Sequence, residues 1–309
     1  MKFNISKEWI MNRVHLEDGV DFDTGIPPEA PALDWSRFPI KEMFQRKWFR
    51  SFSGTVAEAK AQANTLVQEY IRLAVPRPVV SLQRQRVRVG SKADPFALLA
   101  WQCRVLLVAK SNAFRTPYKA SALSDDWFAE LVHLSRFADG PLRAQLHLRE
   151  AGIPLVIEPH LSSTHLDGAA LLSERGPVIG LTLRHDRLDN FWFVLLHELI
   201  HVKKHLRKGS LEDIFDEDVV PNDIERLDMA ANEIEREADS LAVQALIADE
   251  VWETALPRFV RSEEAIRDFA AQLKISPAIV AGRIRREADN YTLLNDLIGH
   301  SAVRKLFLP

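Results

Sequence analysis

Asp189-Asn190-Phe191-Trp192-Phe193-Val194-Leu195-Leu196-His197-Glu198-Leu199-Ile200-His201-Val202-Lys203-Lys204-His205 is the stretch on which the reading of this chain turns. From Phe191 to Leu196 every residue is apolar, so a helix formed here is expected to be buried on nearly all sides. Asp189 or Asn190 is available as its cap, and Lys203 and Lys204 mark where it emerges into water. His197 and His201 stand one helical turn apart, which places both imidazoles on one face within reach of a single ion. Zinc accepts imidazole nitrogen at about 2.0–2.1 Å without demanding a rigid geometry. Glu198, one step round the helix, can reach a water on such an ion and serve as general base. The pattern points to metal-assisted hydrolysis.

A hydrolytic zinc needs a third protein ligand and an open position. His205 lies a further turn along and points progressively away, so it is set aside. The third histidine that follows a glycine in metzincins is absent. The better source is downstream, where Glu233 to Leu246 reads as a helix packed through Ile234, Ala238, Leu241 and Ala245. Glu235 and Asp239 share one face of it, the arrangement expected if Glu235 is a ligand and Asp239 orients a ligand histidine through its free N–H. Glu237 is the alternative ligand, less favoured because it points away from that face.

The bulk properties set the frame. A chain of 309 residues with 47% apolar and 27% charged content can bury a sizeable core, as one large domain plus an appendage or as two domains. A net charge of −3 argues against a protein that coats nucleic acid by electrostatics alone. With Cys103 the single cysteine, neither an intrachain disulfide nor a thiolate metal cluster is available. No segment reads as a signal peptide or a membrane span, so the expectation is a soluble cytoplasmic protein.

Residues 1–90 read as an accessory region. Its acidic, proline-bearing part over 17–34 is expected to be irregular, and helical patterning follows from Pro39 to Val75 until Pro76 and Pro78 end it. A basic run, Gln83 to Arg88, reads as a solvated linker or edge strand and marks a soft boundary, with residues 91–309 as the main domain. There, Asp94-Pro95 opens a helix through Lys110, Ser124 opens another, and a third runs from about Pro141 to Ala151, stopped by Gly152. Ile153 to Ile157, Gly168 to Leu172 and Pro177 to Leu183 read as short strands. The class is therefore α+β, a small sheet with site-bearing helices behind a mainly helical N-terminal region. The acidic stretch from Glu212 to Asp228, between the two ligand-bearing helices, is expected to be a solvated loop placed where a lid would lie.

Leu181 to Phe193 running into His197-Glu198-Leu199-Ile200-His201 resembles the ImmA/IrrE family of metallopeptidases, nearest the branch fused to HigA-type helix-turn-helix regulators. Glu235-Arg236-Glu237-Ala238-Asp239-Ser240-Leu241-Ala242 is similar to that family's E-x-x-A-(N/D)-x-x-A helix, and Phe269 to Arg283 to its C-terminal helical pair. The resemblance spans roughly residues 95–300. It implies a zincin-like fold of the gluzincin kind, a Zn2+ held by His197, His201 and Glu235, and Glu198 as base. It also implies an endopeptidase that cuts a protein partner, a helix-turn-helix repressor or antitoxin, in a stress, mobile-element or toxin–antitoxin setting. Residues 1–90 show no helix-turn-helix of the usual regulator kind, so a separate partner is expected to carry DNA binding, with no direct nucleic-acid contact here. The helical pair at 264–287 looks superficially like a helix-turn-helix but reads as part of the main fold. Two details follow from the implied chemistry: Gly168 to Leu172 as an edge strand for an extended substrate, and Arg184 or His185 as oxyanion donor. The rival reading is an interaction module of a regulatory complex with a structural or vestigial zinc.

Overall fold

Trp101, packed against Gly180 of a small sheet, and Trp192, on the helix that carries the histidine motif, both have no exposed surface. The computed structural model describes residues 34–50, 52–75, 94–111, 116–162, 164–206 and 223–307, with side chains from 232 onward in the last segment. Trp35–Pro309 forms one compact unit. The basic run at 83–88, the soft boundary beside it, the segment expected to be irregular before 34 and residues 212–222 of the acidic stretch lie outside the described residues.

The N-terminal helices of the compact unit are α1 (Ile40–Gln45), α2 (Val56–Ala61) and α3 (Ala63–Ala74). The helical run expected from Val56 to Leu73 is thus broken at Gln62, while Thr55 and Glu58 close a capping box at its start. Arg46 fastens this region to the sheet layer, donating to the Pro159 and His160 carbonyls at 2.7 Å each. Tyr70 donates its hydroxyl to the Ala100 carbonyl at 3.0 Å, joining α3 to α4 (Pro95–Ser111). Asp94 accepts from the Phe96 amide at the head of α4, as the Asp-Pro pair predicts.

Ser124 caps α5 (Asp125–His133) through the Trp127 amide, and α6 (Gly140–Glu150) ends before Gly152, whose φ of 78° suits glycine. The sheet holds β1 (Leu155–Ile157), β2 (Gly168–Ser173) and β3 (Gly176–Leu181) in the order β1-β3-β2. β1 pairs parallel to β3, and β2 pairs antiparallel, with Ala170 opposite Ile179. β3 is central and buried along most of its length, whereas β2 is an edge strand. The strand expected to reach Leu183 stops at Leu181, because Leu183 takes a left-handed φ of 52°.

α7 (Leu188–Ile200) carries the histidine motif and continues as a π-helical turn over His201–His205. Its cap is Arg187 rather than Asp189 or Asn190: Asp189 lies inside the first turn, where its carboxylate accepts from Arg187 Nε at 2.9 Å. The start of α7 is set by a distant segment, since the Leu188 amide donates to the Ile298 carbonyl at 3.0 Å. Phe191, Trp192, Leu195, Leu196 and Leu199 are buried, and Lys203 and Lys204 are exposed, as their pattern predicts.

α8 (Asp223–Leu246) packs along α7, and its first residues show that the end of the acidic stretch is helical. The short α9 (Asp249–Trp252) and α10 (Leu256–Phe259) lead to α11 (Glu263–Leu273) and α12 (Pro277–Glu287). This last pair is a structural part of the unit, because Ile266, Phe269, Ile275, Ile279 and Val280 join the core that α7 centres. α12 lies so close to α7 that a Cβ at Gly282 would sit 2.9 Å from Asp189 Cβ.

Gly180 offers a check on the packing of β3 against α4. A Cβ there would meet Trp101 at 2.8 Å and Val105 at 2.9 Å, and Trp101 is fully buried with its indole N–H donated to the Glu158 carbonyl. Gly180→Ala is expected to cost about 1–3 kcal/mol. Urea denaturation monitored by tryptophan fluorescence should show a lower midpoint at unchanged slope.

Candidate metal centre

α7 and α8 bring three ligand-type side chains to one point. His197 Nε2 lies 3.0 Å from His201 Nε2 and 3.4 Å from Glu235 Oε2, and His201 Nε2 lies 3.8 Å from Glu235 Oε1. Ligands at about 2.05 Å in a tetrahedron stand about 3.3 Å apart, so these separations scatter around the edge length a zinc site needs. The three residues form the His/Cys/Asp/Glu cluster able to hold a metal ion among the described residues. Two imidazoles and one carboxylate match the donor set of a hydrolytic zinc site.

Each histidine is held from behind. His197 Nδ1 is 2.9 Å from Asp239 Oδ1, the placement expected from the i, i+4 relation of Glu235 and Asp239. Asp239 in turn accepts from Arg286 Nη2 at 2.8 Å, and the Arg286 guanidinium stacks 4.4 Å over the Phe193 ring. Arg286 reaches the centre from α12, far along the chain, so no spacing rule signals it. The hydrogen bond with His197 first, and then the Arg286 cation, hold the Asp239 carboxyl below its ordinary range against the opposing effect of burial. His205 is not in the ligand cluster; its Nδ1 faces His201 Nδ1 at 3.1 Å. Glu237 is also outside the cluster and bonds Lys204 and His205.

Glu198 is 6% exposed and lies under the edge strand, accepting a hydrogen bond from the Ala170 backbone amide. Burial is the main reason its carboxyl is pushed up to about 7, opposed by the neighbouring His197 and His201. β2 fits tightly over it: a Cβ at Gly168 would stand 3.0 Å from Glu198 Oε1. Arg184 and His185 do not join this group. Arg184 donates to Asp167 at 3.3 and 3.4 Å and lies 3.2 Å from His185 Nε2, and none of these bonds reaches the metal cluster.

The matching family model covers residues 149–285, the IrrE N-terminal-like domain of the M78 peptidases. That span holds the sheet, α7 and the part of α8 that bears Glu235 and Asp239, and it ends one residue short of Arg286, so the match suggests a metallopeptidase-type domain. The match supports the resemblance to ImmA/IrrE proteins over this part of the chain. Comparison with curated proteins and with solved structures gives no match. Among the described residues no helix is long and apolar enough to cross a membrane.

The electrostatics predict how metal uptake depends on pH. Burial works to lower the basicity of His197, but its bonds to Asp239 and Glu235 outweigh that and push it up to about 9. In the metal-free protein His197 is then protonated at neutral pH, while a ligand must be neutral. Apparent zinc affinity should therefore rise with pH up to about 9 and fall as pH drops below it, with proton release at pH 7. Titration calorimetry in buffers of different ionisation enthalpy reads this directly; heats independent of the buffer would contradict it.

Proposed function

We propose that this chain is a zinc endopeptidase that cuts a specific protein partner. The observation that carries the reading is the convergence of His197, His201 and Glu235 beside a buried Glu198 that hangs from the amide of an edge strand. When bound, zinc supplies a Lewis acid that acidifies a coordinated water and polarises the scissile carbonyl. His197, His201 and Glu235 hold the ion, and Asp239, anchored by Arg286, fixes the ring of His197. Glu198 takes a proton from the attacking water and delivers it to the leaving amine. Its placement near neutral basicity suits both transfers, and a cation on the adjacent ligands favours its ionised form. Among the described residues β2 has β3 on one side only, so an extended segment of substrate is placed to pair along its other edge. Arg184 and His185 receive no part in this scheme, being bonded to Asp167 and to each other.

For the partner we propose a separate helix-turn-helix repressor or antitoxin, in keeping with the ImmA/IrrE likeness. The burial of α11 and α12 in the core supports a partner that carries its own DNA contact. Glu198 weighs against a purely structural metal: a buried carboxylate costs stability, and a structural zinc has no use for it.

Glu198→Gln keeps the shape and the ligands but removes the proton acceptor. The variant should bind zinc like the wild type and cleave a proteome-derived peptide library at least about 100-fold more slowly. Mass spectrometry of new termini, with a chelator control, measures it. Wild-type cleavage rates in the variant, or cleavage that survives chelation, would remove the mechanism.

A further inference from the structure

An imidazole that binds a metal through Nε2 carries its remaining proton on Nδ1, and that N–H needs an acceptor. For His197 the acceptor is Asp239 Oδ1 at 2.9 Å. For His201 the atom facing Nδ1 is not a carboxylate but Nδ1 of His205, at 3.1 Å. A neutral histidine accepts on one nitrogen only if its proton sits on the other. The other nitrogen of His205, Nε2, lies 3.1 Å from Glu237 Oε2. A carboxylate only accepts, so a neutral His205 must donate from Nε2 to Glu237 and offer the Nδ1 lone pair. His201 then must donate from Nδ1, and its Nε2 lone pair points to His197 Nε2 and Glu235, where the ion belongs. The second Glu237 oxygen is 3.1 Å from Lys204 Nζ, which steadies the outer end.

The backbone is arranged for this contact. His201–His205 is wound as a π turn, with the Leu206 amide donating to the His201 carbonyl at 2.8 Å, a form that clusters at functional sites. The His205 side chain is 16% exposed, so its bond to His201 is sheltered, while Glu237 at 45% is open to solvent.

Resting on the assignment of His197, His201 and Glu235 as ligands, we propose that His205 is a positioning residue that sets the tautomer and ring orientation of His201, with Glu237 fixing the proton of His205. The two ligand histidines are then each backed by a chain of hydrogen bonds ending in a carboxylate: one direct through Asp239, one relayed through His205.

The test uses two near-isosteric replacements in the full chain. Asparagine places its amide near the position of Nδ1, and glutamine places it near that of Nε2. Zinc affinity is read by competition with a fluorescent chelator, and ligand geometry by the visible spectrum of the cobalt(II)-loaded protein. His205→Gln should weaken zinc binding by about tenfold or more and shift the cobalt bands, whereas His205→Asn should stay within roughly threefold of wild type. Glu237→Ala should lose less than His205→Gln, because its contact is exposed. Equal affinity for wild type and His205→Gln, or an Asn variant as weak as the Gln variant, would overturn the role of His205. An unchanged Glu237→Ala would remove the carboxylate from the relay. A wild-type chain that takes up no zinc overturns the ligand assignment and the relay together. A chain that binds zinc, responds to His205→Gln and cleaves no peptide overturns the hydrolytic reading alone.

Discussion

Two imidazole nitrogens held 3.0 Å apart, next to a buried carboxylate and at the margin of a hydrophobic core, make a costly cluster unless something compensates it. The layout of the C-terminal two thirds follows from that demand. α7 is apolar enough to be buried through Leu196, so the motif that follows it is presented from a rigid support rather than a loop. α8 lies along it to bring Glu235 and Asp239, and α12 crosses behind to bring Arg286. The sheet covers the opposite side through β2, whose Ala170 amide donates to Glu198.

The support extends well past the ligands. Gly282 allows α12 to approach Asp189, and the Arg187–Asp189 pair sits at the same junction. The helical pair at 264–287 thus packs on α7 and, through Arg286, bonds Asp239. The N-terminal helices join through Arg46 and Tyr70, whose bonds go to backbone carbonyls of the sheet layer and α4. Such contacts stabilise the layer beneath the site without entering it.

Much of this was legible in the residues because local rules agree with the tertiary outcome. The turn-spaced His197 and His201, the apolar run before them, and the face shared by Glu235 and Asp239 carry the ligand cluster. Ser124, Asp94-Pro95 and Gly152 mark helix ends through bonds a few residues long. What local pattern misses is set from far away. Asp189 is a good cap by type, yet its carboxylate is taken by Arg187 and the helix start is fixed by Ile298. Arg286 and Asp239 meet across two helices, and the facing of His205 toward His201 depends on a π turn that an α-helical wheel does not anticipate. The strand end at Leu181 likewise follows from a left-handed Leu183 that a run of apolar residues does not reveal.

A crystal of the zinc-loaded chain tests the proposed three-ligand zinc site between α7 and α8 most directly. Diffraction data collected on both sides of the zinc absorption edge should show a single anomalous peak bonded to His197 Nε2, His201 Nε2 and Glu235. A peak coordinated by His205 or Glu237 in place of one of these, or none between α7 and α8, would contradict the account.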